Sequence, residues 1–123
     1  VLTGKYHPGE PPPPGSRGAE GSPIVTRSRT PKNEAIAEAL RAYAGERGHS
    51  LLELAMGWLL AHPQVSTVIT GTSTPEQVES NVKATEWVLT PEEKAEIDDI
   101  AAWDGSGEGM EGGGMAPAPG SAR

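Results

Sequence analysis

The chain has 123 residues, a net charge of −7, no cysteine and no phenylalanine. That length holds one domain at most, or a piece of one. The lack of cysteine excludes disulfides and thiolate metal sites and suits a reducing compartment such as the cytoplasm. Five aromatic residues (Tyr6, Tyr43, Trp58, Trp87, Trp103) against 16 Gly and 12 Pro make a thin core for a self-standing fold. Charge is uneven. Residues 1–32 are net +3, with Lys5, Arg17, Arg27, Arg29 and Lys32 against Glu10 and Glu20. Residues 86–111 are net −8, with nine carboxylates against Lys94. Such an acidic end repels nucleic-acid phosphates over a Debye length of about 10 Å, which argues against nucleic acid as a partner. The basic end suits a small phosphorylated ligand. No run reaches the roughly 18 apolar residues of a membrane helix, and no basic-then-apolar leader opens the chain.

Residues 1–31 show no convincing periodicity. The run His7-Pro-Gly-Glu-Pro-Pro-Pro-Pro-Gly15 lacks the donors and the φ freedom that a helix or central strand needs, so a long loop with polyproline II character is expected. Arg27 and Arg29 read as solvated charge. A first helix starts at Thr30-Pro31, a cap followed by proline at the first helical position. Its apolar stripe is Ile36, Leu40, Tyr43 and Ala44, with Arg41 and Arg47 facing elsewhere, and Gly45 and Gly48 end it. Ser50-Leu-Leu-Glu53 is a capping box that launches Leu51, Leu54, Ala55, Trp58 and Leu59. Ala61-His62-Pro63 stops that helix, with His62 stabilising its C-terminus. His7 and His49 have no partner in reach by sequence, and three histidines so dispersed form no metal site.

Val65, Val68 and Ile69 among threonines predict a short buried strand over 65–70. Gly71 breaks it, and Thr74-Pro75-Glu76-Gln77 starts a helix running to about 85. Thr74 is the N-cap, and Gln77 stands where a capping box returns its hydrogen bond. Strand, glycine turn and helix N-terminus leave backbone N–H groups and a positive dipole end beside the hydroxyls of Ser73 and Thr74. This is a site suited to phosphate. Asn81, four residues after Gln77, places a second amide on the same side. Trp87 to Thr90 form an extended link, and Thr90-Pro-Glu-Glu93 opens a last helix with Ile97, Ile100 and Trp103 as its stripe. From Asp104 the composition turns to Gly, Ala, Pro, Ser and Met, and a disordered tail is expected over 104–123. Strand–helix alternation favours a parallel α/β unit.

At Gly71-Thr-Ser-Thr-Pro-Glu-Gln-Val-Glu-Ser-Asn81 the chain closely resembles the last βα turn of the aldo-keto reductases, which holds the 2′-phosphate of NADPH. Val1-Leu-Thr-Gly-Lys-Tyr6 resembles the segment after that family's seventh strand, and the proline run into Ser16-Arg17 the loop that follows. Ser50-Leu-Leu-Glu-Leu-Ala-Met-Gly-Trp-Leu-Leu60 and Leu89-Thr-Pro-Glu-Glu93 resemble its last two helices. The resemblance covers residues 1 to about 103. It implies the C-terminal third of a (β/α)8 TIM barrel: a cofactor-flap loop over 1–31, the last βα units over 32–103, and the tail. It implies NADP(H) contacts at Leu2, Gly4, Lys5, Arg17, Gly71, Thr72, Ser73, Gln77 and Asn81, with Lys5 and Arg17 facing phosphates. The family's catalytic Asp, Tyr, Lys and His fall in earlier strands, so residues 1–123 alone are expected to be inactive. The complete protein would reduce a small aldehyde or ketone.

The family also includes channel-associated subunits, which implies an alternative: a nucleotide-responsive scaffold without catalysis. A third reading, from the residues alone, is a small helical interaction protein that docks a partner on its apolar stripes. With no Lys or Arg between Val65 and Val82, NADPH preference over NADH rests on the helix end and hydroxyls, worth about ten- to a thousandfold. Isolated 1–123 is expected to hold fluctuating helices, because a lone strand leaves its backbone groups unpaired.

Overall fold

A computed structural model describes residues 2–102. It contains five helices: α1 (Pro23–Ser28), α2 (Pro31–Glu46), α3 (Leu51–Leu60), α4 (Pro75–Lys83) and α5 (Pro91–Ile100). Trp103 and the tail expected from Asp104 lie outside the described residues.

Three of these helix starts carry the side-chain bonds expected of them. The Thr30 hydroxyl accepts from the Asn33 N–H at 3.2 Å. Ser50 with Glu53, and Thr90 with Glu93, make complete capping boxes in which each N-cap hydroxyl and each N3 carboxylate takes a backbone N–H. Backbone bonding in the box holds the Glu53 carboxyl below its ordinary value. α2 ends in a Schellman motif: the His49 N–H reaches the Ala44 carbonyl at 2.9 Å and the Gly48 N–H reaches Gly45 at 3.0 Å. Gly48 supplies the φ of +76° that this exit demands. Gly45 itself remains helical. His62 donates through Nδ1–H to the Trp58 carbonyl at 2.8 Å, at the end of α3.

The apolar stripes of α2, α3 and α5 meet. Leu40, Tyr43, Ala44, Leu51, Leu54 and Ile97 form one cluster with Trp87 and Leu89 from the link before α5, and Ile36, Trp58, Ala61 and Ile100 pack around it. Ile97 is 2 % exposed. At Gly57 the α3 backbone comes so close to the link that a Cβ would lie 2.8 Å from the Trp87 carbonyl oxygen. Polar tips close the cluster's rim. The Tyr43 hydroxyl donates to Glu96 at 2.6 Å, and the Arg47 guanidinium stacks 3.5 Å over the Tyr43 ring while pairing with Glu96 at 3.1 Å. The Trp58 indole N–H donates to Asp98 at 2.6 Å, and Lys94 pairs with the same carboxylate. His49, expected to stand alone, stacks on Trp87 with ring centroids 4.0 Å apart.

Two expectations need correction. There is no strand among the described residues; 65–70 runs without helix or ladder. The β-branched pattern is present, but a strand exists only by pairing, and Ile69 is 95 % exposed with nothing beside it. The α/β class therefore does not show in the described residues, which are helical. Second, the stretch before Thr30 is not loop throughout, because α1 forms within it. Pro23 starts α1, and the Thr26 and Ser28 hydroxyls bond back to the Ser22 and Ile24 carbonyls. These local bonds need no apolar period, so the pattern did not reveal the helix.

Candidate functional site

The turn before α4 is built as its sequence dictates, with one shift. The Thr74 hydroxyl accepts from the Gln77 N–H at 3.4 Å. The Gln77 side-chain oxygen, expected to return a bond to Thr74, instead takes the Ser73 N–H at 2.7 Å. The turn is thus tied one residue earlier, and the Ser73 N–H is committed within the protein. Residues 71–80 are all exposed. Hydrogen bonding to the Thr74 hydroxyl, and then to its own backbone N–H, holds the Glu76 carboxyl below its ordinary value. An anion of the chain's own making therefore already uses part of this helix end.

Thr72 and Asn81 lie on a different surface. They share an open groove of about 520 Å³ with Met56 and Leu60 of α3, Val68 of the extended run, and Val78 and Val82 of α4. Ser73 and Gln77 are not part of its lining. The Gln77 and Asn81 amides, expected to aim at one ligand, have different surroundings in this structure. The Gln77 oxygen closes its own turn, while Asn81 is half-buried in the groove. Gly71 is exposed with open space around it.

The other predicted contacts sit in the loop before α1. Leu2, Lys5 and Arg17 are exposed, and Gly4 takes a φ of +81° at a turn. This loop folds around Tyr6, which is buried. The Tyr6 hydroxyl accepts from the Gly18 N–H at 3.2 Å, and a Cβ on Gly18 would stand 2.8 Å from the Tyr6 ring. A hydrogen bond with buried Ser16 lowers the Tyr6 phenol below its ordinary value against the opposing effect of burial; Gly18, Lys5 and Arg29 add to the lowering. The nine predicted contacts fall in two stretches of chain, residues 2–17 in this loop and residues 71–81 at the start of α4.

Sequence reasoning missed two arginines. Arg29, read as solvated, pairs with Glu34 at 2.7 Å and donates to the His7 and Glu10 carbonyls at 2.9 and 3.2 Å. Arg41, read as facing away, reaches the His7 ring at 2.9 Å and the Gly4 and Tyr6 carbonyls at 3.4 Å each. Their backbone acceptors lie 19 to 37 residues away, which no local pattern exposes. Arg27 is exposed, as expected. No cluster of His, Asp or Glu among the described residues could hold a metal, and no helix there is long and apolar enough to cross a membrane.

The sequence model of the aldo/keto reductase family matches residues 1–102. The chain belongs to that family. Among curated relatives, it is 39 % identical over 112 residues to a putative voltage-gated potassium channel subunit beta of Schizosaccharomyces pombe, covering 81 % of this chain and 30 % of that protein. It is 40 % identical over 105 residues to the L-glyceraldehyde 3-phosphate reductase of Escherichia coli O157:H7, covering 80 % of this chain and 29 % of the enzyme. A probable channel subunit beta of rice matches at 37 % over 95 residues, 75 % of this chain and 29 % of the subunit. The chain spans about 30 % of the length of the curated relatives it matches.

Proposed function

We propose that this chain is the cofactor-holding C-terminal third of an NADP(H)-dependent aldo/keto reductase that reduces small aldehydes or ketones to alcohols in the cytoplasm. In this reading residues 1–31 are the flap over the cofactor, and 32–103 are the last βα units of a (β/α)8 barrel. The observation that carries it is the exposed 71–77 turn, with the Ser73 hydroxyl and the free N–H groups at a capped helix N-terminus within a family-matched segment. Those donors fit a phosphate monoester. The exposed apolar residues nearby support the barrel placement, since Ile69, Val78 and Val82 present β-branched surface that a barrel wall would cover.

The bound nicotinamide supplies the hydride. The residues of this chain bind and orient the other end of the cofactor. Ser73 and the α4 N-terminus would hold the 2′-phosphate, beside the Glu76 carboxylate. Thr72, Gly71 and Asn81 line the approach, and Gln77 keeps the turn in shape through Ser73. Lys5 and Arg17 meet phosphates from the flap side, and Leu2 and Gly4 shape the turn that carries Lys5. No catalytic residue is assigned within 1–123; proton donation belongs to the rest of the full-length protein, and 1–123 alone is expected to reduce nothing. Adenosine-side contacts of this kind lower KM and leave the chemical step to other groups.

The test is NADPH oxidation by full-length protein with a small aldehyde, followed by loss of nicotinamide absorbance, alongside NADH. Turnover with NADPH favoured at least tenfold is the expected result, and no cofactor binding would overturn it. A second reading, a nucleotide-responsive scaffold, is favoured by the identity to proteins described as potassium channel beta subunits. Tight NADPH binding with no hydride transfer to any small carbonyl would select it.

A further inference from the structure

We infer that Arg41 and Arg29 are positioning residues: from the α2 side they clamp the turn at residues 4–10 and so fix the backbone that carries Lys5. This rests on the reading above that Lys5 meets a cofactor phosphate, and it adds two residues to that site. Lys5 stands between Gly4 and Tyr6, and the Arg41 guanidinium reaches the carbonyls of both, at 3.4 Å each. The same guanidinium lies 2.9 Å from Nδ1 of His7. Arg29 takes the next two acceptors, the His7 carbonyl at 2.9 Å and the Glu10 carbonyl at 3.2 Å.

Each arginine is itself held from α2. Arg29 pairs with Glu34 at 2.7 Å, and Arg41 lies 3.4 Å from Glu38. Arg29 also faces the Tyr6 ring, 5.6 Å from its centroid. Four carbonyls of a segment with neither helix nor ladder are therefore held by two guanidinium groups anchored on one helix. The planar five-donor fork of arginine can serve several carbonyls at once, which a lysine ammonium does less well. Tyr6 is buried and its flanking backbone is held, whereas the Lys5 side chain is exposed. Binding a phosphate through a side chain on a fixed backbone costs less ordering than binding through a free loop. The clamp thus acts on the cofactor through Lys5, without touching it.

The experiment measures NADPH dissociation constants of full-length protein by titration calorimetry for Arg41→Met, Lys5→Met and the double variant, with thermal melting as a fold control. Each single substitution is expected to weaken NADPH about tenfold, one charge-assisted hydrogen bond's worth. The double variant should be no weaker than Lys5→Met, the mark of residues acting through one contact. Arg41→Met should also speed tryptic cleavage after Lys5 while leaving cleavage after Lys94 unchanged. If Arg41→Met fails to fold, Arg29→Met serves in its place with the same expectations. Lys5→Met weakening NADPH while Arg41→Met does not, or losses that simply add, would overturn the clamp and leave the cofactor reading standing. A silent Lys5→Met in a protein that binds NADPH would overturn the Lys5 contact and the clamp together. A wild-type protein that does not bind NADPH would remove the cofactor reading itself.

Discussion

The unit formed by α2, α3 and α5 and the arm formed by residues 65–83 solve opposite problems. In the first, three capped helices bury their stripes in each other, and even the aromatic tips find partners: Tyr43 at Glu96, Trp58 at Asp98, His49 against Trp87. In the second, α4 is well started but has no buried residue, and the run before it pairs with nothing among the described residues. The difference is not one of local propensity, because both regions carry strong caps and suitable apolar residues. It lies in whether the chain supplies the other side of the contact. Helices of 10 to 16 residues can complete one another here; a single strand cannot complete itself. The proposed function follows the same division, with the helical unit as scaffold and the exposed arm carrying the candidate phosphate turn.

The contrast breaks most visibly in the scaffold. Leu54→Ala, at a site 2 % exposed, should cost about 2–5 kcal/mol of unfolding free energy, measured by denaturant titration of full-length protein. Val82→Ala on the arm should cost more than about 1 kcal/mol in the full-length protein, where the proposed barrel wall covers that face, and a change within about 0.5 kcal/mol would leave the face open and count against the barrel placement. Next in size, Tyr43→Phe removes a hydrogen bond to a carboxylate and should cost about 1.5–3 kcal/mol. Burial, and then the bond to Glu96, push the Tyr43 phenol up to about 12. A pKa raised above its unfolded value of about 10 gives stability that is whole below pH 10 and lost as pH rises through 12. Alkaline unfolding curves should show that loss for wild type and not for Tyr43→Phe.

On the arm, effects should fall on binding rather than stability. Ser73→Ala should weaken NADPH about tenfold and leave NADH nearly unchanged. Equal weakening of both cofactors would make Ser73 a residue that merely shapes the turn, a role its N–H already plays with Gln77. Smallest, Glu76→Gln removes the carboxylate that competes for the helix end. It should tighten NADPH and not NADH, and a loss of affinity would show that Glu76 helps to hold the cofactor.

Helix starts were readable because caps are local: Thr30, Ser50, Thr74 and Thr90 each bond a residue three positions on. The stripes that meet in the core were readable for the same reason, since period and length fix them. The strand was legible as a pattern yet does not form, because its hydrogen bonds depend on residues beside it. The capped turn before α4 was legible in composition, but the one-residue shift of the Gln77 bond was not; side-chain reach decided it. Arg29 and Arg41 could not be placed from sequence, because carbonyls carry no residue identity and these lie up to 37 positions away.

The central claim is that the arm's 71–77 turn holds the phosphate end of the cofactor, while the helical unit merely supports it. Amide hydrogen exchange of the full-length protein, with and without saturating NADPH, tests this directly. The account predicts slow exchange in α2 and α3 in both states, and NADPH-dependent protection concentrated at residues 71–77 and 4–7. Protection confined to other segments, with 71–77 exchanging as fast with NADPH as without it, would contradict it.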